Sequence, residues 1–184
     1  MLTFAFAATV AAELLLGALL MASWIDPSRR VWPPPARDSW QYRVVWVLTD
    51  AAALGILAVG VLDWSTFAFA HWLRLPIGGG LAVAGLALAL WGVRTLGIHR
   101  SLGLKDALVQ AGPYRFTRNP QYVGDIVLLL GWAIVCNSLR TWIVSALAAA
   151  WFALTPFTEE PWLRKQYGEA YDAYRRRVPR YLGR

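Results

Sequence analysis

The stretch richest in side chains able to do chemistry is Gly112-Pro113-Tyr114-Arg115-Phe116-Thr117-Arg118-Asn119-Pro120-Gln121-Tyr122-Val123-Gly124-Asp125. Pro120 stands where a helix prefers to begin, after a turn rich in Gly, Pro and Asn. Unpaired N–H groups and the dipole at a helix start favour a carboxylate or phosphate, and Arg115 and Arg118 add full positive charge. The plain alternative is that these arginines only anchor the chain to anionic lipid. A second group, Phe157-Thr158-Glu159-Glu160-Pro161-Trp162, places two adjacent carboxylates before a basic tail. Neighbouring helical residues point about 100° apart, so one glutamate can face inward while the other meets water. A cap for a helix beginning at Pro161 is the plain alternative there. Beyond it, Leu163, Tyr167, Ala170, Tyr171, Tyr174 and Val178 recur at helical spacing. That pattern predicts an amphipathic surface helix up to Pro179, its tyrosines lying on lipid or closing over a pocket.

The elements that must position these groups follow from composition. The chain has 184 residues, of which 58% are hydrophobic and 16% charged, against roughly 25% charged in soluble domains. Apolar runs extend over Thr3 to Ile25, Trp40 to Leu62, Trp72 to Leu96, Gln121 to Cys136 and Thr141 to Phe157. The first, at 1.5 Å per residue, reaches about 34 Å and crosses the hydrocarbon core. It lacks a basic leader segment and exceeds a signal-peptide core in length, so it is expected to be retained. The last two runs are separated by Asn-Ser-Leu-Arg, which reads as a tight helical hairpin. The expected fold is therefore all-α: an integral membrane protein with about five transmembrane helices and a C-terminal amphipathic helix. Residues 1–96 form a three-helix scaffold and residues 97–184 carry the polar groups, within one structural unit. The length leaves no room for a separate soluble domain.

Charge orients the bundle. Of 18 Lys and Arg, four fall in residues 26–43 (Arg29, Arg30, Arg37, Arg43), five in 94–120 (Arg94, Arg100, Lys105, Arg115, Arg118) and seven in 158–184. The other two connections hold only Arg74 and Arg140. Every second loop is basic, which places the N-terminus outside and the C-terminus in the cytoplasm, in a cell's inner membrane. The net charge of +7 is thus topological, and a nucleic-acid partner is not expected. A single cysteine, Cys136, excludes an internal disulfide and a cysteine zinc site, and no metal site is expected. Trp24, Trp40, Trp64, Trp72, Trp142 and Trp162 fall near helix ends, at headgroup level. Gly78, Gly85 and Gly92, with Ala82 and Ala89, form a small-residue seam on the third span that lets another helix approach closely. Pro33-Pro34-Pro35 reads as a stiff spacer. Three acids lie inside spans, and such groups are functional candidates: Asp125 is expected to line the pocket, and Glu13 and Asp50 to bond neighbouring helices.

The sequence Gly-Pro-Tyr-x-x-x-Arg-Asn-Pro-x-Tyr-x-Gly, a helical hairpin, Glu-Glu, and then Tyr-Gly-x-x-Tyr-x-x-Tyr-x-x-x-Val-Pro resembles the integral-membrane methyltransferases of the isoprenylcysteine carboxyl methyltransferase and phospholipid N-methyltransferase group. The resemblance runs from Leu96 to Tyr181, and the first three spans match only in number and character. It implies S-adenosylmethionine bound on the cytoplasmic side between the last two spans and the C-terminal helix. A lipophilic or membrane-associated acceptor would come from the bilayer lipid. By position, Gly112, Pro113, Tyr114, Arg118, Asn119, Pro120, Tyr122, Glu159, Glu160 and Tyr171 belong to cofactor binding. Arg177, Glu160 and Arg118 are the catalytic candidates, with Arg177 beside the acceptor. Asn119 replaces a histidine common in the group. It cannot titrate near neutral pH, so it binds cofactor and does not move a proton.

Methyl transfer from a sulfonium suits this set, because alignment and exclusion of water carry most of such a displacement. A glutamate can hold an ammonium or ribose hydroxyls, an arginine a carboxylate, and Tyr122, Tyr171 or Tyr174 can lie against the sulfonium. An acceptor carboxylate would be oriented by Arg177, whereas an amine or thiol would give its proton to a glutamate. Two other classes compete. A membrane reductase of the sterol reductase kind, using NADPH, shares the turn ending in Gly124-Asp125 but has no use for Glu159-Glu160. A non-catalytic lipid-binding protein predicts that Glu159→Ala or Arg118→Ala leaves function unchanged.

Overall fold

A computed structural model describes residues 1–67, 72–104 and 107–183; Lys105 and Arg184, counted above among the basic residues, lie outside them. The described residues form α1 (Leu2–Ile25), α2 (Trp40–Leu62), α3 (Arg74–Leu96), a short α4 (Ile98–Ser101), α5 (Pro120–Cys136), α6 (Leu139–Tyr167) and α7 (Glu169–Arg177). Four of them, α1, α2, α3 and α6, are long and apolar enough to cross a membrane, and α5 is a shorter apolar helix. The bounds of α2 coincide with those expected, because Ser39 accepts a bond from the Tyr42 N–H at 3.2 Å and so caps its start.

The glycine seam of α3 packs on α5, which supplies its own glycines. A Cβ at Gly85 would stand 2.4 Å from the Leu128 nitrogen, and one at Gly131 would stand 2.4 Å from the Ala82 nitrogen. Neither neighbour is a side chain that can turn away, so the two backbones meet only where both surfaces lack side chains. The helical hairpin also forms as expected. Asn137 takes the left-handed conformation (φ 49°) that ends α5, and Ser138 caps α6 by accepting from the Thr141 N–H at 3.1 Å. At this end of the bundle Asp63 accepts from Ser138 Oγ at 2.6 Å and from Arg140 at 2.9 Å.

Two expectations are corrected. No helix begins at Pro161; α6 runs unbroken through Pro156 and Pro161 to Tyr167. Each proline removes one backbone bond, to the carbonyls of Phe152 and Phe157; Pro156 is itself buried, and side chains bond the carbonyls on either side of Phe152, Thr155 Oγ1 to Trp151 O at 2.8 Å and the Tyr181 hydroxyl to Ala153 O. The single amphipathic helix is instead broken at Gly168, whose φ of 54° ends α6 and lets α7 turn away. The proline loop is likewise no spacer. Ser23 Oγ accepts from the N–H groups of Val31 and Trp32 at 2.9 and 3.1 Å, which folds the loop back so that Val31 to Pro34 are buried.

The intramembrane acids also differ from expectation. Asp50 is exposed. Glu13 is only 5% exposed, yet neither of its carboxyl oxygens has a hydrogen-bond partner. Asp125 lines a cavity together with Glu13 within the bundle, away from the turn that precedes α5.

Candidate active site

The three basic connections meet at one end of the bundle. Gly112 opens a tight helical turn, Gly112–Arg115, with φ of 54°, where a Cβ would meet Thr95 Oγ1 at 2.8 Å. This position therefore requires glycine twice over, for its backbone and for its neighbour. The turn buries Pro113 and Tyr114, and Gln121 donates to the Tyr114 hydroxyl at 3.2 Å and to Ser101 Oγ at 2.8 Å. The Tyr174 hydroxyl donates to the Tyr114 carbonyl at 2.8 Å, tying α7 to the turn.

The chain after α7 is clasped against the start of α5. The Arg118 N–H donates to the Pro179 carbonyl at 2.9 Å, while Thr117 Oγ1 and Asn119 Nδ2 donate to the Arg180 carbonyl at 3.0 and 2.9 Å. Glu160 accepts from Arg118 at 2.8 Å and from both arms of Arg180 at 2.8 and 2.7 Å. Such a two-armed pair fixes direction as well as distance, and the bond to Glu160 raises the Arg180 pKa further. Arg180 also stands 4.0 Å above the Phe157 ring.

Glu159, one residue away, faces the other direction. Its Oε1 accepts from Trp32 Nε1 at 2.8 Å and from the Tyr122 hydroxyl at 2.5 Å, so a group from the first loop and one from α5 converge on it. The two glutamates diverge as expected, but neither is the one that meets water: Glu159 faces a cleft, and Glu160, 7% exposed, is buried in the arginine clasp. That cleft is lined by Trp32, Tyr114, Arg118, Asn119, Tyr122 and Glu159, with Tyr171 and Tyr174 closing one side. Tyr171 and Tyr174 are 2% and 3% exposed and pack with Val178, Leu108, Leu163 and Tyr167. The tyrosine stripe thus closes over a pocket and does not lie on lipid. Burial pushes the phenols of Tyr114, Tyr171 and Tyr174 up, helped at Tyr114 by the charge of Glu159. They stay neutral and present aromatic faces and hydroxyls.

Of the residues assigned from sequence, Tyr114, Arg118, Asn119, Tyr122, Glu159 and Tyr171 line the cleft, while Gly112, Pro113 and Pro120 shape its turn and helix start. Glu160 lies behind it. Arg177 is not brought to Glu159 or Arg118; it is exposed, donating to Gln110 at 2.9 Å and to the Ala173 carbonyl at 3.3 Å. The chain turns back after α7 and lays Arg180 on Glu160. Trp32 and Arg180 are missed from sequence. The signal for Trp32 is an indole just before a proline run in a basic loop.

The cleft also fits an anionic group. Arg118 Nε is buried without a partner although both terminal nitrogens of the side chain are bonded. A buried unpaired donor costs on the order of 1–3 kcal/mol, which an arriving carboxylate would offset.

Comparisons with known proteins place this geometry. Residues 73–170 match the profile of the phospholipid methyltransferases. The chain is 34% identical over 98 residues to phosphatidylethanolamine N-methyltransferase B of Dictyostelium discoideum, covering 50% of this chain and 49% of that protein. It is 29% identical over 166 residues to the cobalt-zinc-cadmium resistance protein CzcN of Cupriavidus metallidurans, covering 88% of this chain and 74% of that one. A protein-S-isoprenylcysteine O-methyltransferase of Schizosaccharomyces pombe is 34% identical over 73 residues, 39% of this chain and 31% of its own. The chain thus spans about half the length of the first of these and under a third of the last. No solved structure matches it.

Proposed function

The chain belongs to the phospholipid methyltransferase family, and from that premise we propose that it moves a methyl group from S-adenosylmethionine to a lipophilic acceptor at the cytoplasmic end of the bundle. The observation that carries the proposal is the division of labour at Glu159-Glu160. One carboxylate turns into a tyrosine-walled cleft, while the other is consumed by Arg118 and Arg180.

Bound there, S-adenosylmethionine supplies a methyl group on a sulfonium whose positive charge disappears on transfer. In the proposal Arg118 donates its free Nε–H to the cofactor carboxylate, and Glu159 accepts from its ammonium or ribose hydroxyls. The faces of Tyr122 and Tyr171 attract the sulfonium. Gly112, Pro113, Tyr114, Asn119 and Pro120 hold the wall of the cleft in place. Glu160 acts by positioning, since its charge aims Arg118 and pins the tail that bears Arg180. Arg177, next to Gln110 at the rim, is assigned to an acceptor that brings a carboxylate or phosphate. With the tyrosines closing one side, water is kept from the methyl group, which is what such a displacement needs. The acceptor enters from the membrane lipid.

Calorimetric titration of S-adenosylmethionine into the protein in nanodiscs tests the proposal. The expected result is saturable binding that Glu159→Gln weakens at least ~10-fold, a loss of about 1.4 kcal/mol, with thermal stability kept. Absence of saturable binding with lipid present would overturn it, and binding of NADPH instead would favour the reductase class.

A further inference from the structure

A second cavity, about 290 Å³, lies within the membrane-spanning part between α1, α2, α5 and α6. Its walls are leucine, isoleucine and alanine, with the rings of Trp132, Trp151 and Phe152 and one neutral hydroxyl residue, Thr49. Ala53 and Leu57 on its α2 side are exposed, so hydrocarbon can reach it laterally from the bilayer. Two carboxyl groups enter this apolar space, Glu13 from α1 and Asp125 from α5, and among the described residues no Lys, Arg or His lines it. Glu13 is the unusual one. It is 95% removed from solvent and both its oxygens lack a hydrogen-bond partner. An unpaired acid in an apolar membrane interior is costly and marks a site whose partner comes from elsewhere.

The lining selects the partner by chemistry. Two acidic acceptors, aromatic faces and no cation suit a positively charged donor, and apolar walls suit a hydrocarbon chain attached to it. We propose that this cavity is a binding site for a lipophilic amine, its ammonium held by Glu13 and Asp125 and its chain extending past Ala53 and Leu57 into the bilayer. The inference stands on this cavity alone and does not need the methyltransferase reading. Tyr122, which lines the first cleft, and Phe152, which lines this cavity, hold their rings 5.8 Å apart.

The test compares dodecylamine, dodecanol and dodecanoate by calorimetry on the protein in nanodiscs, with empty nanodiscs subtracted. Wild type is expected to bind the amine at least ~10-fold more tightly than the other two, about 1.4 kcal/mol. Glu13→Gln should abolish that preference, and Ala148→Phe, which fills the cavity, should abolish saturable binding of all three. Folding of each variant is checked by monodisperse elution and helical circular dichroism. Equal binding of amine and alcohol by wild type overturns the proposal whatever the variants do. So does an amine preference that survives Glu13→Gln, or binding that ignores Ala148→Phe. Amine binding without S-adenosylmethionine binding would leave this proposal standing and overturn the methyltransferase reading.

Discussion

Each end of the bundle holds a buried carboxylate between two donors. At one end Asp63 takes Ser138 and Arg140; at the other Glu160 takes Arg118 and Arg180. By charge and burial the two clasps look alike, yet among the described residues it is the second that stands behind the tyrosine-walled cleft. The first pins a hairpin whose ends are otherwise held by backbone and cap bonds, such as Ser65 N–H to the Cys136 carbonyl at 2.8 Å. The second has a neighbour, Glu159, turned the other way, and it bonds an arginine with a donor to spare. A buried ion pair is therefore weak evidence for a site. An unpaired buried atom alone is weak evidence too, since Thr141 Oγ1 beside the first clasp also lacks a partner; the second end differs in having an arginine with an unpaired donor and a second carboxylate that line the same cleft.

The largest expected effect comes from the frame that both clasps share. Gly124→Leu sets a side chain where a bare Cβ already stands 2.5 Å from the Ala89 nitrogen, and overpacking against backbone costs about 3 kcal/mol or more. No monodisperse protein is expected on size exclusion, whereas Gly79→Leu, with nothing within 4 Å of its Cβ, should purify normally. Next come the clasps themselves. Glu160→Ala leaves Arg118 buried at 8% side-chain exposure without its partner, at a cost on the order of 3 kcal/mol, and it should abolish S-adenosylmethionine binding as the tail detaches. Asp63→Ala should lower the melting temperature while leaving cofactor affinity unchanged, and an equal loss of affinity would erase the distinction between the two ends. Trp32→Phe removes one donor to Glu159 and keeps the ring, so cofactor affinity should fall about 5-fold, near 1 kcal/mol for a lost hydrogen bond, with little change in melting. The smallest effect is Arg140→Ala. Arg140 is 44% exposed while Asp63 is 5% exposed, and Asp63 keeps its bond from Ser138, so the loss should be about 1 kcal/mol, readable as a shift of a few degrees in a thermal scan.

What could be seen in the residues divides along the same line. Periodicity and punctuation located α2, the α3 seam, the Asn137-Ser138 hairpin and the turn into Pro120, because each is decided by residues close together in the chain. The course of α6 through Pro156 and Pro161 was hidden, since a proline raises the cost of a helix locally and only tertiary packing can offset it. The same limit hid Arg180. Spacing along one helix cannot show that the chain turns back after Val178 and lays its next arginine on Glu160. Glu13 was visible as an acid in a span; that no neighbour bonds it is a property of the packed bundle alone.

Trp32 carries a consequence for how such proteins can be recombined. It reaches Glu159 across 127 positions of sequence, and Gly103 fits beneath its ring, where a Cβ would come within 2.8 Å. Neither Trp32 nor the tail that ends on Arg180 falls within residues 73–170, the part shared with the family profile. A chimera that grafts only that shared block onto the first helices of a relative would keep its motifs and lose the groups that orient them. Exchanges between relatives should therefore carry the 26–39 loop and the segment after Gly168 along with the block, as one heritable unit assembled from three separate stretches.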